Sequence, residues 1–272
     1  MDTQTLYLAA TVLVFLVALV FSMLGLGGGM LYVPLFKWLE LPLKTVAIPL
    51  SLLLNGVTTL SAFLRYWREG LVDFRGGLPA ALAAMLAAPL GAWSMGSVPR
   101  DALLIIFAAF TALAGAYSLK QSAREASTHP PPGRRLAIGL GLGAFEGFLG
   151  GLLGVGGGFV VAPVLMALGF PTKRAVATTS FIVTFASASG FAAHAAAGRL
   201  DVTLTVLTLA AAIAGSQLGS WFMARRAKPA WVKRLYGVLL LLVAIKLVWD
   251  LARLRLRPTR HGGCSAVWGG PG

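Results

Sequence analysis

Two glycine runs, GLGGG at residues 25–29 and GVGGG at residues 154–158, are the segments of this sequence best suited to do chemistry. Each run has four glycines in five residues, and a proline (Pro34 or Pro163) follows five residues after its last glycine. Such a run unwinds a helix, and the freed backbone N–H groups can bind an anion. The sequence therefore predicts an anion site that includes Gly27, Gly28, Gly29, Gly156, Gly157 and Gly158. The alternative is that the glycines only kink the helices.

Polar side chains in the next apolar segment after each run could complete this site. Ser51 and Asn55 are four residues apart, as are Ser180 and Thr184, so each pair shares one face of a helix. Hydroxyl and amide groups can donate to anion oxygens without placing a charge in the membrane. The alternative is that they bond to another helix or return to their own.

Three charged residues are further candidates. Lys44 and Lys173 each follow a proline by two residues at the start of a span. A lysine there either snorkels to the membrane edge or attracts anions to an access path. Glu146 lies deep in the apolar run GAFEGFLGGLL, where a carboxylate either carries a proton or has a structural or vestibule role.

The elements that must position these residues are membrane-spanning helices. Hydrophobic residues make up 57% of the 272, only 12% are charged, and the mean hydropathy is +0.81. A spanning helix needs about 20 mainly apolar residues. With His194 neutral, the uncharged runs are 3–36, 45–64, 76–99, 102–119, 147–172, 175–198 and 202–224. We therefore predict an all-α polytopic membrane protein.

Several other classes of protein and site are disfavoured by composition. The net charge of +14 does not indicate nucleic-acid binding, because the basic residues lie in short loops between spans. Cys264 is the single cysteine, which excludes an intrachain disulfide and a cysteine-rich metal site. We expect no metal and no cofactor.

The glycine runs open the two copies of an internal repeat. GLGGGMLYVPLF at 25–36 matches GVGGGFVVAPVL at 154–165, and the register continues to Ser51 and Ser180. After one residue is lost, GLVD at 70–73 matches GRLD at 198–201. We predict two homologous halves, each a Gly-broken helix or hairpin plus three transmembrane helices. The boundaries are a first repeat at 1–120, a polar linker at 121–135, a second repeat at 136–257 and a disordered tail at 258–272.

The relative orientation of the halves depends on the path of the Gly-broken segment. If it crosses the membrane once, the copies are parallel and the basic residues divide almost evenly between the two sides. If it returns as a hairpin, the copies are inverted, and one side keeps only Lys37, Lys44, Arg100 and Arg199 before the basic tail. The positive-inside rule favours the inverted repeats, with both termini periplasmic. The cytoplasmic side then holds Arg65, Arg68, Arg75, Lys120, Arg124, Arg134, Arg135, Lys173, Arg174, Arg225, Arg226, Lys228, Lys233 and Arg234.

The doubled GxGGG-x4-P motif, at matching positions in an Ala/Leu/Gly-rich membrane chain, resembles the TauE/SafE family of sulfite-exporter-like permeases. The resemblance extends to about residue 252. It implies a bacterial inner-membrane permease for a small anion such as sulfite or an organosulfonate.

We therefore expect a multi-pass secondary transporter of the cell inner membrane, with a substrate site at mid-depth between the repeats. The alternatives are a channel-like facilitator of an inorganic anion and an intramembrane enzyme. The enzyme is disfavoured because the spans contain no evident Ser/His set, Asp pair or HExxH motif. The expected partners are the anion and the lipid bilayer, and a homo-oligomer is compatible with the sequence.

Overall fold

A computed structural model describes residues 3–94, 105, 108–109, 111–113, 115–116, 132–154, 156–195 and 200–256. Its first half contains α1 (Thr3–Leu24), α2 (Gly29–Trp38), a π-helical turn (Leu43–Ala47), α3 (Ile48–Arg68) and α4 (Phe74–Trp93). Its second half contains α5 (Pro132–Leu153), α6 (Val161–Ala167), α7 (Thr172–Ala195), α8 (Val202–Arg225) and α9 (Pro229–Leu256). The prediction of an all-α fold is confirmed.

Six helical segments in the described part of the chain are long and apolar enough to cross a membrane, which confirms the polytopic class. Large apolar side chains such as Leu8 and Leu86 are exposed on their outer faces, as lipid contact requires. The six segments are Gln4–Leu24, Thr45–Arg68, Phe74–Trp93, Leu136–Leu153, Thr172–Ala195 and Val202–Arg225.

Equivalent aspartates begin the last of these helices in each half. Asp73 is the N-cap of α4, and its side chain accepts hydrogen bonds from the amides of Arg75 and Gly76. Asp201 is the N-cap of α8 and accepts from the Leu204 amide. A carboxylate here satisfies amides that have no partner within the helix. The GLVD and GRLD segments therefore have the same structural role.

Helices α3 and α7 pack against each other in opposite directions. Leu52 of α3 lies next to Gly190 of α7, and Asn55, one turn later on α3, bonds to Ser187, one turn earlier on α7. These two helices hold equivalent places in the repeat. Their contact, which we call the junction, is therefore one of the places where the two halves meet.

The first helix of each half also packs against a helix of the other half. Gly143, Gly147 and Gly151 of α5 lie against the backbone of Ala80, Ala84 and Ala88 of α4, so these helices run parallel at close range. In the same way Gly215 and Gly219 of α8 lie against Phe15 and Leu19 of α1. The stripe of glycines in α5 is thus a packing surface. Among the described helices, α1, α3 and α4 of the first half each have a close partner in the second half.

The first Gly-broken segment turns back inside the protein. The Tyr66 hydroxyl donates to the carbonyl of Ser22 at 2.7 Å, so α1 ends beside the end of α3. The amide of Gly29, where α2 begins, is bonded to Asn55, about halfway along α3. Helix α2 has ten residues and is therefore about 15 Å long. It covers about half of a 30 Å hydrocarbon layer before the chain enters α3.

Basic residues from several helices meet at one end of the bundle. The Arg225 Nε atom at the end of α8 is 3.0 Å from Glu69 Oε1, just after α3. Lys173 at the start of α7 donates to the Ala224 carbonyl at 2.9 Å. The ends of α3 and α8 and the beginning of α7 therefore lie on the same side. Of the predicted linker and tail, only residues 132–135 fall among the described residues.

Candidate functional site

The two glycine runs interrupt the helices through backbone conformations that favour glycine. Gly25, Gly27 and Gly28 have φ values of +72°, +80° and +98°. Gly154, Gly156, Gly157 and Gly158 have values of +66°, +74°, +68° and +91°. Residues with a Cβ rarely adopt this region. These conformations interrupt the helical backbone, so the two helices end directly before the glycine runs, α1 at Leu24 and α5 at Leu153.

The side chain of Asn55 lies between the two interruptions. Its Oδ1 accepts a hydrogen bond from the Gly29 amide at 2.7 Å, and its Nδ2 donates to Ser187 Oγ at 2.7 Å. A Cβ on Gly27 would collide with Oδ1, and a Cβ on Gly156 would collide with Nδ2 and with Ser187 Oγ. The Asn55 carboxamide thus contacts both glycine runs and joins α3 to α7.

This junction lies near the middle of the membrane-spanning segments. Asn55 is ten residues after the start and thirteen before the end of the span Thr45–Arg68. Ser187 is fifteen residues after the start and eight before the end of Thr172–Ala195. The two glycine runs also approach each other directly, because a Cβ on Gly158 would lie 3.5 Å from the Leu26 backbone. The structure therefore brings Gly27, Gly29, Asn55 and Gly156 together at mid-depth.

The helix ends differ from the expected pair of free N–H clusters. In the first half α2 begins at Gly29, whose amide is already paired with Asn55. In the second half α6 begins at Val161, three residues beyond the last glycine, and has only seven residues. The polar groups at the junction are therefore the Asn55 carboxamide, the Ser187 hydroxyl and the backbone of the glycine loops, rather than two matched helix ends.

The other predicted polar residues have separate environments. Ser51 Oγ is fully buried and has no hydrogen-bond partner in the described ranges of the chain. Ser180 Oγ donates to the Val176 carbonyl at 3.2 Å and faces Gly25. Thr184 Oγ1 returns to its own helix, at 2.7 Å from the Ser180 carbonyl. Ser51 is therefore the one of these three with an uncommitted hydroxyl.

Glu146 is fully buried against the second glycine run. A Cβ on Gly157 would collide with its carboxylate. Neither carboxylate oxygen has a hydrogen-bond partner among the described residues. Tyr236 of α9 reaches the same loop, since its hydroxyl lies 3.2 Å from the carbonyl oxygens of Gly158 and Phe159. The glutamate thus contacts the glycine loop itself.

The first half has valine at the equivalent point. Val17 is the repeat counterpart of Glu146, as Gly28 is of Gly157. A Cβ on Gly28 would lie 2.9 Å from Val17 Cγ1. The contact between α1 or α5 and its glycine run is therefore the same in both halves, but it is apolar in the first and carboxylic in the second.

The two predicted access lysines lie away from the junction. Lys173 is at the basic end of the bundle, where its ammonium group is bonded to the C-terminal turn of α8. A cation at that position interacts favourably with the helix dipole. Lys44 lies in the π-helical turn, and its side chain is outside the described residues.

Residues not predicted as part of the site also contact it. Ser187 is the counterpart of Thr58 in the repeat, and the repeat alignment alone could have identified it. Tyr32 and Thr58 share a hydrogen bond at 3.1 Å between their hydroxyl oxygens. Ser216 of α8 donates to the Thr58 carbonyl at 2.6 Å. A tyrosine buried within a span needs a partner for its hydroxyl, which was the available signal for Tyr32.

Comparison with known proteins identifies relatives along most of the chain. The family model described as "Sulfite exporter TauE/SafE" matches residues 10–247. A probable membrane transporter protein of Bacillus subtilis (strain 168) is 27% identical over 253 residues, which cover 84% of this chain and 92% of the relative. One of Sinorhizobium fredii is 28% identical over 262 residues, covering 92% and 100%. No solved structure matches.

A plant relative matches over a shorter region. Sulfite exporter TauE/SafE family protein 3 of Arabidopsis thaliana is 31% identical over 83 residues, which are 30% of this chain and 17% of the relative. The name of that protein and the description of the family model agree on sulfite export. The two bacterial relatives are named as membrane transporters without a substrate.

Proposed function

Because this chain belongs to the sulfite exporter TauE/SafE family and is a membrane transporter rather than an enzyme, we propose that it moves a small anion through a site between its two halves. The anion is sulfite or an organosulfonate. The site contains Asn55, Ser187 and the glycine loops at 27–29 and 156–158, and the predicted residues Ser51, Ser180 and Thr184 lie on the same two helices, α3 and α7. The membrane is the bacterial inner membrane.

The contact of Asn55 with both glycine runs carries this proposal. A substrate site that serves both sides of a membrane belongs at mid-depth, where elements of the two halves meet. Asn55 satisfies that condition, because it bonds to Gly29 and Ser187 and touches Gly156. Its amide group, the hydroxyls and the loop amides are neutral donors that suit a sulfonate or sulfite oxygen. A neutral site also releases an anion more readily than a site with a fixed cation.

We also propose that the halves are inverted and that the basic end faces the cytoplasm. The antiparallel contact of α3 with α7 supports this orientation, since parallel copies would align these equivalent helices. The grouping of Lys173 and Arg225 at one end agrees with the positive-inside rule. Both termini are then periplasmic. Lys173 serves the cytoplasmic access path, and Lys44 serves the periplasmic one.

Transport by the purified full-length chain in liposomes tests this function. Radiolabelled sulfite, sulfoacetate, isethionate and chloride are offered separately, with protein-free liposomes as the control. We expect uptake of sulfite or of one sulfonate, accelerated when the same unlabelled anion is present inside. Such trans-stimulation distinguishes a carrier from a channel-like facilitator.

Variants at the junction test whether the transported anion passes through it. Asn55→Ala and Ser187→Ala should each reduce uptake at least tenfold. Thr11→Val, which removes a hydroxyl bonded to the Tyr7 carbonyl of its own helix, should leave uptake unchanged. Full uptake by Asn55→Ala would show that the substrate passes elsewhere. Uptake of none of the anions by the folded wild type would refute the proposed substrate class.

A further inference from the structure

The two halves differ by one carboxylate at an otherwise equivalent contact. In the second half Glu146 is fully buried against Gly157, and in the first half Val17 lies against Gly28. The loop residue before Gly157 is Gly156, which contacts Asn55 and Ser187. Glu146 and the proposed substrate junction therefore contact consecutive residues of the glycine loop. A packing role alone would be filled by valine, as it is in the first half.

The carboxylate has no partner that would fix it as a permanent anion. Within the part of the chain that the structure describes, neither oxygen has a hydrogen bond and no lysine or arginine forms an ion pair with the carboxylate. An ionised carboxylate buried without a partner is strongly disfavoured, whereas its protonated form is compatible with the surroundings. The buried carboxyl group is therefore suited to hold a proton and to release it when water reaches the site.

The polar neighbours of Glu146 do not supply a competing charge. From α9, Tyr236 faces it, and its hydroxyl lies within hydrogen-bonding distance of the Gly158 and Phe159 carbonyls. From α7, His194 lies near the carbonyl of Gly151, which is more than one helical turn from Glu146 along α5. From α4, the contact with α5 consists of small residues around Ala84. Within the described residues, a second negative charge at this loop would therefore come from the substrate.

We propose that Glu146 takes up one proton with each substrate anion and carries it across the membrane in the same direction. This inference rests on the proposed function. An ionised Glu146 and an anion at the Gly156 loop repel each other through a medium of low dielectric constant, so the anion binds when the carboxyl group is protonated. Release of the anion on the far side allows the proton to leave. One proton and one monovalent anion then move together, without net charge and without any covalent step.

Accumulation driven by a pH gradient tests this coupling. Liposomes containing the full-length protein are given radiolabelled isethionate, because this sulfonate stays a monovalent anion over the pH range used. With the outside more acidic by one unit, the wild type should concentrate a monovalent anion inside up to about tenfold, since one unit of pH is one decade of proton activity. A pH dye inside the liposomes should record acidification that accompanies uptake.

Two variants test the residue. Glu146→Gln keeps the shape of a protonated carboxyl group, and Glu146→Val reproduces the residue of the first half. Both should exchange labelled for unlabelled anion but fail to concentrate it, and their uptake should not acidify the interior. Glu69→Gln, which alters a carboxylate at the end of the bundle, should accumulate the anion like the wild type.

Coupling and transport can fail separately. If the wild type exchanges anions but neither accumulates them nor acidifies the interior, the inference is wrong and the proposed function stands. If Glu146→Gln still accumulates the anion under the pH gradient, protons travel through another group. If the wild type exchanges none of the anions, the proposed function fails first. The dye measurement on the wild type decides the coupling even if a Glu146 variant does not fold.

Discussion

The Asn55 carboxamide donates to Ser187 Oγ at 2.7 Å, and this bond joins α3 of the first half to α7 of the second. The same carboxamide accepts from the Gly29 amide. Three segments that are distant in sequence therefore meet at one fully buried side chain. An unsatisfied buried donor or acceptor is unfavourable, so the loss of this side chain should affect all three segments.

Removal of the Asn55 carboxamide should destabilise the protein. Asn55→Ala leaves the Gly29 amide without an acceptor and Ser187 without its donor, which should cost about 1–3 kcal/mol. Ser187→Ala removes only the second bond and should cost less. Thermal unfolding of these variants in one detergent, with Thr11→Val as the control, measures the order of their stabilities. Equal stability of Asn55→Ala and wild type would contradict the bonding described here.

A methyl group on Gly156 should be far more damaging than the same group on Gly70. Both residues have positive φ, +74° and +67°, so alanine brings similar backbone strain at each, about 1–2 kcal/mol. A Cβ on Gly156 also collides with Asn55 and Ser187, whereas a Cβ on Gly70 meets no atom within 4 Å. We expect Gly156→Ala to abolish uptake and Gly70→Ala to retain most of it. Comparable uptake by the two variants would separate Gly156 from the transport site.

Substitution in the glycine stripe of α5 should act through helix packing. Gly147→Ala places a Cβ onto the backbone of Ala84 and would force α4 and α5 apart. Overpacking of this kind typically costs about 1–3 kcal/mol. Gly141→Ala, on the same helix, meets open space and should be neutral or stabilising by up to about 1 kcal/mol. Melting temperatures of the two variants in detergent provide the test, and a Gly147→Ala variant as stable as Gly141→Ala would refute the packing role.

The proposed orientation places Glu40 and Arg68 on opposite sides of the membrane. Both are exposed, Glu40 just after α2 and Arg68 at the end of α3. With Cys264 replaced by serine, Glu40→Cys should react with a membrane-impermeant maleimide added outside intact spheroplasts. Arg68→Cys should react only after permeabilisation. The reverse result would invert the orientation, and labelling of both from outside would exclude a hairpin followed by a spanning α3.

The repeat in the sequence was sufficient to predict several local features. It matched the glycine runs that end α1 and α5, and it matched Asp73 with Asp201, which have the same capping role. These features depend on short segments and their own backbone geometry. For that reason they can be identified from residue type and spacing alone.

Contacts between distant segments could not be predicted in the same way. The repeat pairs Asn55 with Thr184, but Asn55 bonds across the junction to Ser187, and Thr184 bonds to its own helix. The position of Glu146 against Gly157 depends on the rotation of α5 about its axis, which is set by its packing on α4. A sequence repeat shows which residues are equivalent in the two halves, but it does not show which residues are in contact in the folded protein.

The packing of α1 against the second half has a consequence for the synthesis of the protein. Helix α1 packs against glycines of α8, yet α8 is synthesised only after most of the chain has left the ribosome. Until then α1 is in the bilayer without its close partner, and chain growth at about 5–20 residues per second makes that interval at least several seconds. The first half made alone should therefore insert without reaching its final packing. Two separately expressed halves should recover it only when both are present in the same membrane.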